Sequence, residues 1–308
     1  MILNTRNVTT LFVALKTTFS KAFDATESKW DKVATLVPST TRQNDYTWLD
    51  RFPRLRKWVG DKVVKSLTQH NYTLVNDDFE ATVEVDRSDL EDDQLGIYAP
   101  QAQEAGFSAK QWPDELVFEV LNKAFTDKCY DGQPFISDSH PNGKDETGKV
   151  ITVSNKGNKP LSAASLADAQ ASYGAARTAL RNMKDTEGRP LNVTPTLLVV
   201  PPALEDTANA LMTAERLDDG KTNIYKGTAT VLVVPWLTSD TRWFLMDTTR
   251  AIKPLIFQQR KKPLFVSQQD LNNPDVFMRK KLKFGAEARG AAGYGLWQMI
   301  YGSTGDGK

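Results

Sequence analysis

The sequence is nearly devoid of thiol and imidazole groups, with one cysteine and two histidines in 308 residues. A single cysteine cannot close an internal disulfide, and one Cys with one His eleven positions later matches no zinc-ligand spacing. Net charge is missing too. The 39 basic and 38 acidic residues leave a formal charge of +1, so no global field draws the chain to nucleic acid or an anionic membrane. No apolar run approaches the ~20 residues that span a bilayer. The opening MILNTRNVTTLFVALKTTF lacks a basic n-region and a small-residue cleavage site, so the expectation is a soluble, intracellular protein. There is no Gly-Lys-Ser/Thr phosphate loop, and Gly290-x-x-Gly293-x-Gly295 reverses the dinucleotide fingerprint, which argues against nucleotide chemistry.

What remains is a chain with 40% hydrophobic residues, enough for one large domain or two moderate ones. Val8, Leu11, Phe12, Leu15, Phe19 and Phe23 fall at helical spacing and predict an amphipathic helix within 8–30. Phe79, Ala81, Val83 and Val85 alternate with polar residues as a half-buried strand does. Between the extended limbs of 33–87 lies TWLDRFPRLRKWVGDK, basic and aromatic and without clean periodicity. Its Arg51, Arg54, Arg56 and Lys57, interleaved with Trp48, Phe52, Leu55 and Trp58, suit an excursion that meets a partner surface. Stacking on single-stranded nucleic acid is a further reading of the same residues.

Ser88-Asp-Leu-Glu91 fits a capping box, with Asp89, Asp92 and Asp93 in the first turns. A helix running from there to Phe125, interrupted or kinked at Pro100 and Pro113, would be roughly 50–60 Å long. From 150 to 260 helical patterns at 162–184 and 203–216 alternate with the apolar strands 196–200 and 230–234, which predicts an α/β unit with both strands central in its sheet. Extended pieces are expected at 252–258, 276–284 and 296–301, separated by the small-residue run 290–295. The composition of the tail 302–308 predicts fraying.

The stretch CYDGQPFISDSHP (129–141) concentrates the cysteine, one histidine and two aspartates. Those residue types serve a thiol hydrolase or a metal centre. A nucleophilic Cys129 would need a positioned base and a lowered pKa, which sequence neighbours rarely supply. The turn signals Asp131-Gly132 and Pro141-Asn-Gly143 favour a surface hairpin after a helix. A Cys/His hydrolase and a nucleic-acid-binding module stand as the alternatives to a structural protein.

Several long segments resemble one family, the major head (capsid) subunits of Mu-like phages and prophages. They are PSTTRQNDYTWLDRFPRLRKWVGDK, DDFEATVEVDRSDLEDDQLGIYAP, CYDGQPF, RAIKPLIFQQRKKP and VFMRKKLKFGAEARGAAGYGLWQ, spread in order over most of the chain. The resemblance implies an α+β protein of the Hong Kong 97-like tailed-phage capsid fold. Its parts would be an N-terminal arm (1–32), an extended loop (33–87), a peripheral domain with a spine helix (88–149), an axial domain (150–250), and return strands of the peripheral domain with the C-terminus (251–308). It implies a structural protein with no catalytic, cofactor or metal residues, forming hexamers and pentamers of an icosahedral head around double-stranded DNA. A portal protein, a transient scaffold and a protease would be its partners, and no membrane. Assembly is expected in the bacterial host cytoplasm. The candidate inter-subunit contacts are Trp48, Arg51, Phe52, Arg54, Arg56 and Trp58 on the loop, with Asp89, Glu91, Asp92 and Asp93 facing them.

Overall fold

A computed structural model of the chain describes residues 5–47, 49, 72–92 and 95–307. In chain order the elements begin with α1 (Thr5–Ala25), α2 (Trp30–Val33), β1 (Ala34–Pro38), β2 (Gln43–Asp45), β3 (Thr73–Val75), β4 (Asp77–Asp86), α3 (Arg87–Glu91) and α4 (Tyr98–Asn122). There follow β5 (His140–Lys144), β6 (Val150–Val153), β7 (Lys156–Gly157), α5 (Leu166–Ala169), a π-helical turn at Gln170–Gly174, α6 (Ala175–Arg181), β8 (Leu197–Val200), α7 (Glu205–Thr213), β9 (Thr230–Val233) and β10 (Trp243–Met246). The chain closes with β11 (Leu255–Gln268), α8 (Pro274–Arg279), β12 (Lys281–Tyr294) and β13 (Ile300–Ser303).

The strands form two main sheets. One has the order β1-β11-β12-β4, the other β7-β13-β10-β8-β9, while β2-β3 and β5-β6 are separate two-stranded pairs. A single apolar cluster joins them, with Trp112, Phe257 and Tyr294 from the first side and Val199, Phe244 and Ile300 from the second. Beyond that cluster the long strands β11, β12 and β4 continue outward. Helix α1 covers their far end because Val8, Leu11, Phe12 and Leu15 share one stripe and pack on Val85, Leu282 and Phe284. Gly106 on α4 lets the two helices approach, since a Cβ there would lie 2.4 Å from the Phe19 carbonyl oxygen.

Several sequence expectations change. Helix α4 begins at Tyr98, not Ser88, and spans 25 residues, about 37 Å at ~1.5 Å per residue. Pro100 lies in its first turn, where an N–H has no intrahelical acceptor to lose, so it starts the helix instead of breaking it. Only Pro113 is interior. The 276–284 piece is helical as far as Arg279, and Lys280 turns the chain into β12 with φ 56°. The small-residue run lies inside β12: a Cβ on Gly290 would meet the Gln258 carbonyl oxygen at 2.5 Å, so glycine permits the close strand approach. β8 is central and buried throughout, whereas β9 is an edge strand in which Leu232 alone is buried. β13 joins the second sheet beside β10 and does not return to the first. The tail past it is pinned, with Thr304 N–H on the Gly157 carbonyl and Gly307 N–H on that of Asn158.

Candidate functional site

The Cys129 stretch folds as a tight turn in which Cys129 N–H reaches the Gln133 carbonyl and Gly132 N–H the Cys129 carbonyl. The same pair of bonds recurs at Asp145/Lys149, Asp185/Arg189 and Leu217/Lys221. In each turn a glycine takes the left-handed backbone, with φ of 83° at Gly132, 83° at Gly148, 76° at Gly188 and 76° at Gly220. Four copies of one turn identify CYDGQ as turn chemistry, with the aspartate carboxylate capping free N–H groups. Asp131 Oδ1 accepts the Gln133 N–H at 3.0 Å, as Asp219 Oδ1 accepts the Lys221 N–H at 3.0 Å.

The turn nevertheless brings Cys129, Asp131 and His140 together, with one donor atom from each within 4.8 Å of the others. The thiol donates to Asp131 Oδ1 at 3.1 Å, and His140 Nδ1 lies 2.6 Å from Asp131 Oδ2. Burial pushes the Cys129 thiol far up, with the Asp131 charge adding to it, so the sulfur holds its proton. Burial also raises Asp131, but the hydrogen bond and charge of His140, with the Gln133 N–H and the thiol, outweigh it and hold the carboxyl below its usual value. Histidine therefore serves the carboxylate, not the thiol, and the sulfur is no nucleophile. The imidazole stacks on Trp297 at 4.0 Å with the rings 4° apart. Asn155 completes the joint: Oδ1 accepts the Ser137 N–H and Nδ2 donates to the Phe135 and Trp297 carbonyls. The cluster is a brace between the end of α4 and the last segment of the chain.

Of the sequence-derived contact residues, Trp48, Arg51, Phe52, Arg54, Arg56, Trp58 and Asp93 lie outside the described residues. Glu91 ends α3, and its side chain also lies outside them. Asp92 is exposed. Asp89 accepts from the Tyr98 hydroxyl, which itself accepts the Asp86 N–H at 3.1 Å. That carboxylate is thus engaged within the subunit, bridging α3 to the start of α4.

The described residues that flank 50–71 are fixed by a buried chain of hydrogen bonds that sequence periodicity does not signal. Tyr46 donates to Gln258 Oε1 at 2.8 Å, Gln258 Nε2 to Asn76 Oδ1 at 2.8 Å, and Asn76 Nδ2 to Ser39 Oγ at 2.9 Å. Burial, partly offset by the Asn44 side chain, pushes the Tyr46 phenol up to about 12. β2 and β3 pair above this network, Asp45 opposite Thr73. Asp114 on α4, another residue missed from sequence, accepts the Lys29 and Trp30 N–H groups at 2.8 and 2.6 Å and so ties α2 to the long helix. Among the described residues no helix is long and apolar enough to cross a membrane.

Residues 8–170, 161–237 and 238–306 match the family described as Mu-like prophage major head subunit gpT. Over 308 residues the chain is 32% identical to the major capsid protein of Escherichia phage Mu, covering 99% of this chain and 76% of that protein. It resembles a chain of the bacteriophage JBD30 procapsid with TM-score 0.58 and 32% identity, over 96% of this chain and 75% of that one. A virus-like particle from Pyrococcus furiosus shares the fold alone, with TM-score 0.54 at 12% identity over 94% of this chain and 97% of that one. The fold is the Hong Kong 97-like capsid fold, and the joint at Cys129 has a structural part in it. The matches from residue 8 to 306 and the shared capsid fold together identify the chain as a member of the Mu-like prophage major head subunit family, a structural capsid protein and not an enzyme.

Proposed function

We propose that this subunit assembles as hexamers and pentamers into the icosahedral head of a Mu-like tailed phage, and that its basic, aromatic excursion reaches a neighbouring subunit. In this reading residues 1–32 are the arm and 33–87 the extended loop. Helix α4 is the spine of a peripheral domain built on the four-stranded sheet, and the five-stranded sheet forms the axial domain. The observation that carries the reading is the root of the excursion. The Tyr46–Gln258–Asn76–Ser39 chain locks both limbs to β11, while Arg51, Arg54 and Arg56 beside Trp48, Phe52 and Trp58 make the segment between them suited to a partner. Double-stranded DNA held without sequence specificity, a portal at one vertex, a transient scaffold and protease, and assembly in the host cytoplasm belong to the same proposal.

The test is assembly itself. The wild-type chain is expected to form capsomers or shells by light scattering and negative-stain microscopy. Reversing Arg51, Arg54 and Arg56 together to Glu is expected to abolish particles in sedimentation while leaving the circular dichroism spectrum intact. Normal shells from that variant would remove the segment from the interface, and loss of helix signal would put those arginines in the subunit's own fold.

A further inference from the structure

The Cys129 joint brings together three donors whose spacing in the sequence matches no metal motif. Cys129 Sγ, an Asp131 carboxylate oxygen and a His140 ring nitrogen lie within 4.8 Å of one another, and among the described residues no other Cys, His, Asp and Glu side chains gather in this way. Thiolate, imidazole and carboxylate are all zinc ligands, and at bond lengths of about 2.0–2.3 Å two donors on one ion stand roughly 3–4 Å apart. The observed separations, 3.1 Å from Sγ to Oδ1 and 2.6 Å from Nδ1 to Oδ2, need only small rotations to reach that spacing. Each donor is also held from behind. The Cys129 N–H is on the Gln133 carbonyl and its C=O on the Gly132 N–H, and the imidazole is stacked on Trp297. Asp131 Oδ1 accepts the Gln133 N–H, which leaves Oδ2 for an ion. Such support behind the ligands is what orients metal centres.

Charge supplies an independent argument. The His140 side chain is fully buried, that of Asp131 is 6% exposed and Cys129 is buried as well. A dication held there by a thiolate, a carboxylate and a neutral imidazole carries no net charge, the condition under which an ion is tolerated inside a protein. His140 Nε2 is buried with no hydrogen-bond partner among the described residues, so the ring breaks no other bond when Nδ1 turns to a metal. The turn itself is the way in, since a Cβ on Gly132 would meet nothing within 4 Å.

We infer that Cys129, Asp131 and His140 form a zinc site that locks the end of α4 to the last segment of the chain, with Sγ, Oδ2 and Nδ1 as ligands and water in the fourth position. Binding breaks the Cys129 S–H bond as the S–Zn bond forms, and that proton leaves to solvent. The hydrogen between His140 Nδ1 and Asp131 Oδ2 passes to Nε2, which keeps the ring neutral. The metal-free thiol holds its proton because it is buried, and the ion takes the place of that proton. The site belongs to the single folded chain and does not depend on assembly.

Cobalt(II) substitutes for zinc in such sites, and a thiolate bound to it gives a charge-transfer absorption. Cys129 is the only cysteine, so that band can arise from no other residue. The wild-type chain, titrated with cobalt(II) after folding and also refolded in its presence, is expected to show the band, to saturate at one ion per chain, and to lose the band when zinc is added. Zinc affinity is expected to fall about tenfold for each unit of pH lowered, since one proton is released per ion. Zinc is expected to raise the melting temperature of the wild type and not that of Cys129→Ser, which keeps a hydroxyl donor to Asp131 and should lose the band and at least tenfold in zinc affinity. Asp131→Asn and His140→Gln are each expected to lose at least tenfold in affinity. Absence of the band under both loading conditions overturns the inference. So does a band of full strength in both Asp131→Asn and His140→Gln, which would mean the thiolate binds metal without them. Where those two variants fail to fold, Cys129→Ser decides: zinc affinity or a melting shift equal to that of the wild type overturns the site.

Discussion

The two sheets solve different problems. In the five-stranded sheet β8 and β10 are buried at every position, with apolar contacts on both faces. In the four-stranded sheet β4 is largely exposed and β11 is buried only over its first four residues. Its outer length relies on ladder hydrogen bonds, on α1 laid over one face, and on charged pairs such as Lys261–Glu287. Surface pairs of that kind contribute little to stability. The outer strands β4 and β11 thus leave length open to solvent, whereas β8 and β10 leave none. The shared core around Trp112, Phe257 and Phe244 makes the two fold as one.

The largest expected effect breaks the fully buried side. Val199 is fully buried, opposite Phe244 on one flank and Leu232 on the other. Val199→Asp should cost more than about 4 kcal/mol by burying an unpaired charge, and the subunit should fail to fold in denaturant titrations. Normal soluble protein from this variant would deny β8 its central position.

The joint between the sheets comes next. His140→Ala leaves Asp131 buried without its partner and empties the space beside Trp297, so a loss of roughly 3 kcal/mol is expected. Cys129→Ala removes one weak donor and should cost about 1 kcal/mol. Equal effects from the two would mean that the imidazole is not the anchor of the brace. The same carboxylate carries a pH signature. Its folded pKa lies below the unfolded value of ~3.9, so its stabilisation is complete above about pH 4 and is lost as pH falls through the folded value. Acid unfolding of Asp131→Asn should lack that component, and an unchanged acid profile would contradict it.

The smallest effect sharpens the account of the thinner side. Asp114 is buried, Oδ1 caps α2, and Oδ2 has no hydrogen-bond partner among the described residues. Burial holds its pKa above the ordinary value. A raised acid pKa means that stability is greater below the unfolded pKa and declines as pH rises through the folded one. Asp114→Asn keeps the acceptor and deletes the charge, so at neutral pH it should change stability by under about 1 kcal/mol. Asp114→Ala strips both N–H groups of their acceptor and should cost about 2 kcal/mol. If the asparagine variant were as damaging as alanine, the charge and not the acceptor would be what holds α2.

Local pattern was enough to read α1, β8 and the Cys129 turn, because each is specified by residues a few positions apart: the 3.6-residue stripe from Val8 to Phe19, the run Leu197–Val200, and Asp-Gly at 131–132. The capsid family was legible from ordered long segments, and composition alone ruled out an internal disulfide. What only the tertiary structure decided lies in contacts between residues far apart in the chain. Val231 and Val199 have similar neighbours in sequence, yet β9 is an edge and β8 is not, because strand order depends on where β10 and β13 return. Gln258 and Asn76 look like surface amides until the fold buries them against each other. Periodicity reports which face of an element is apolar, while sheet order, buried polar partners and surface charge clusters are set when those faces are paired.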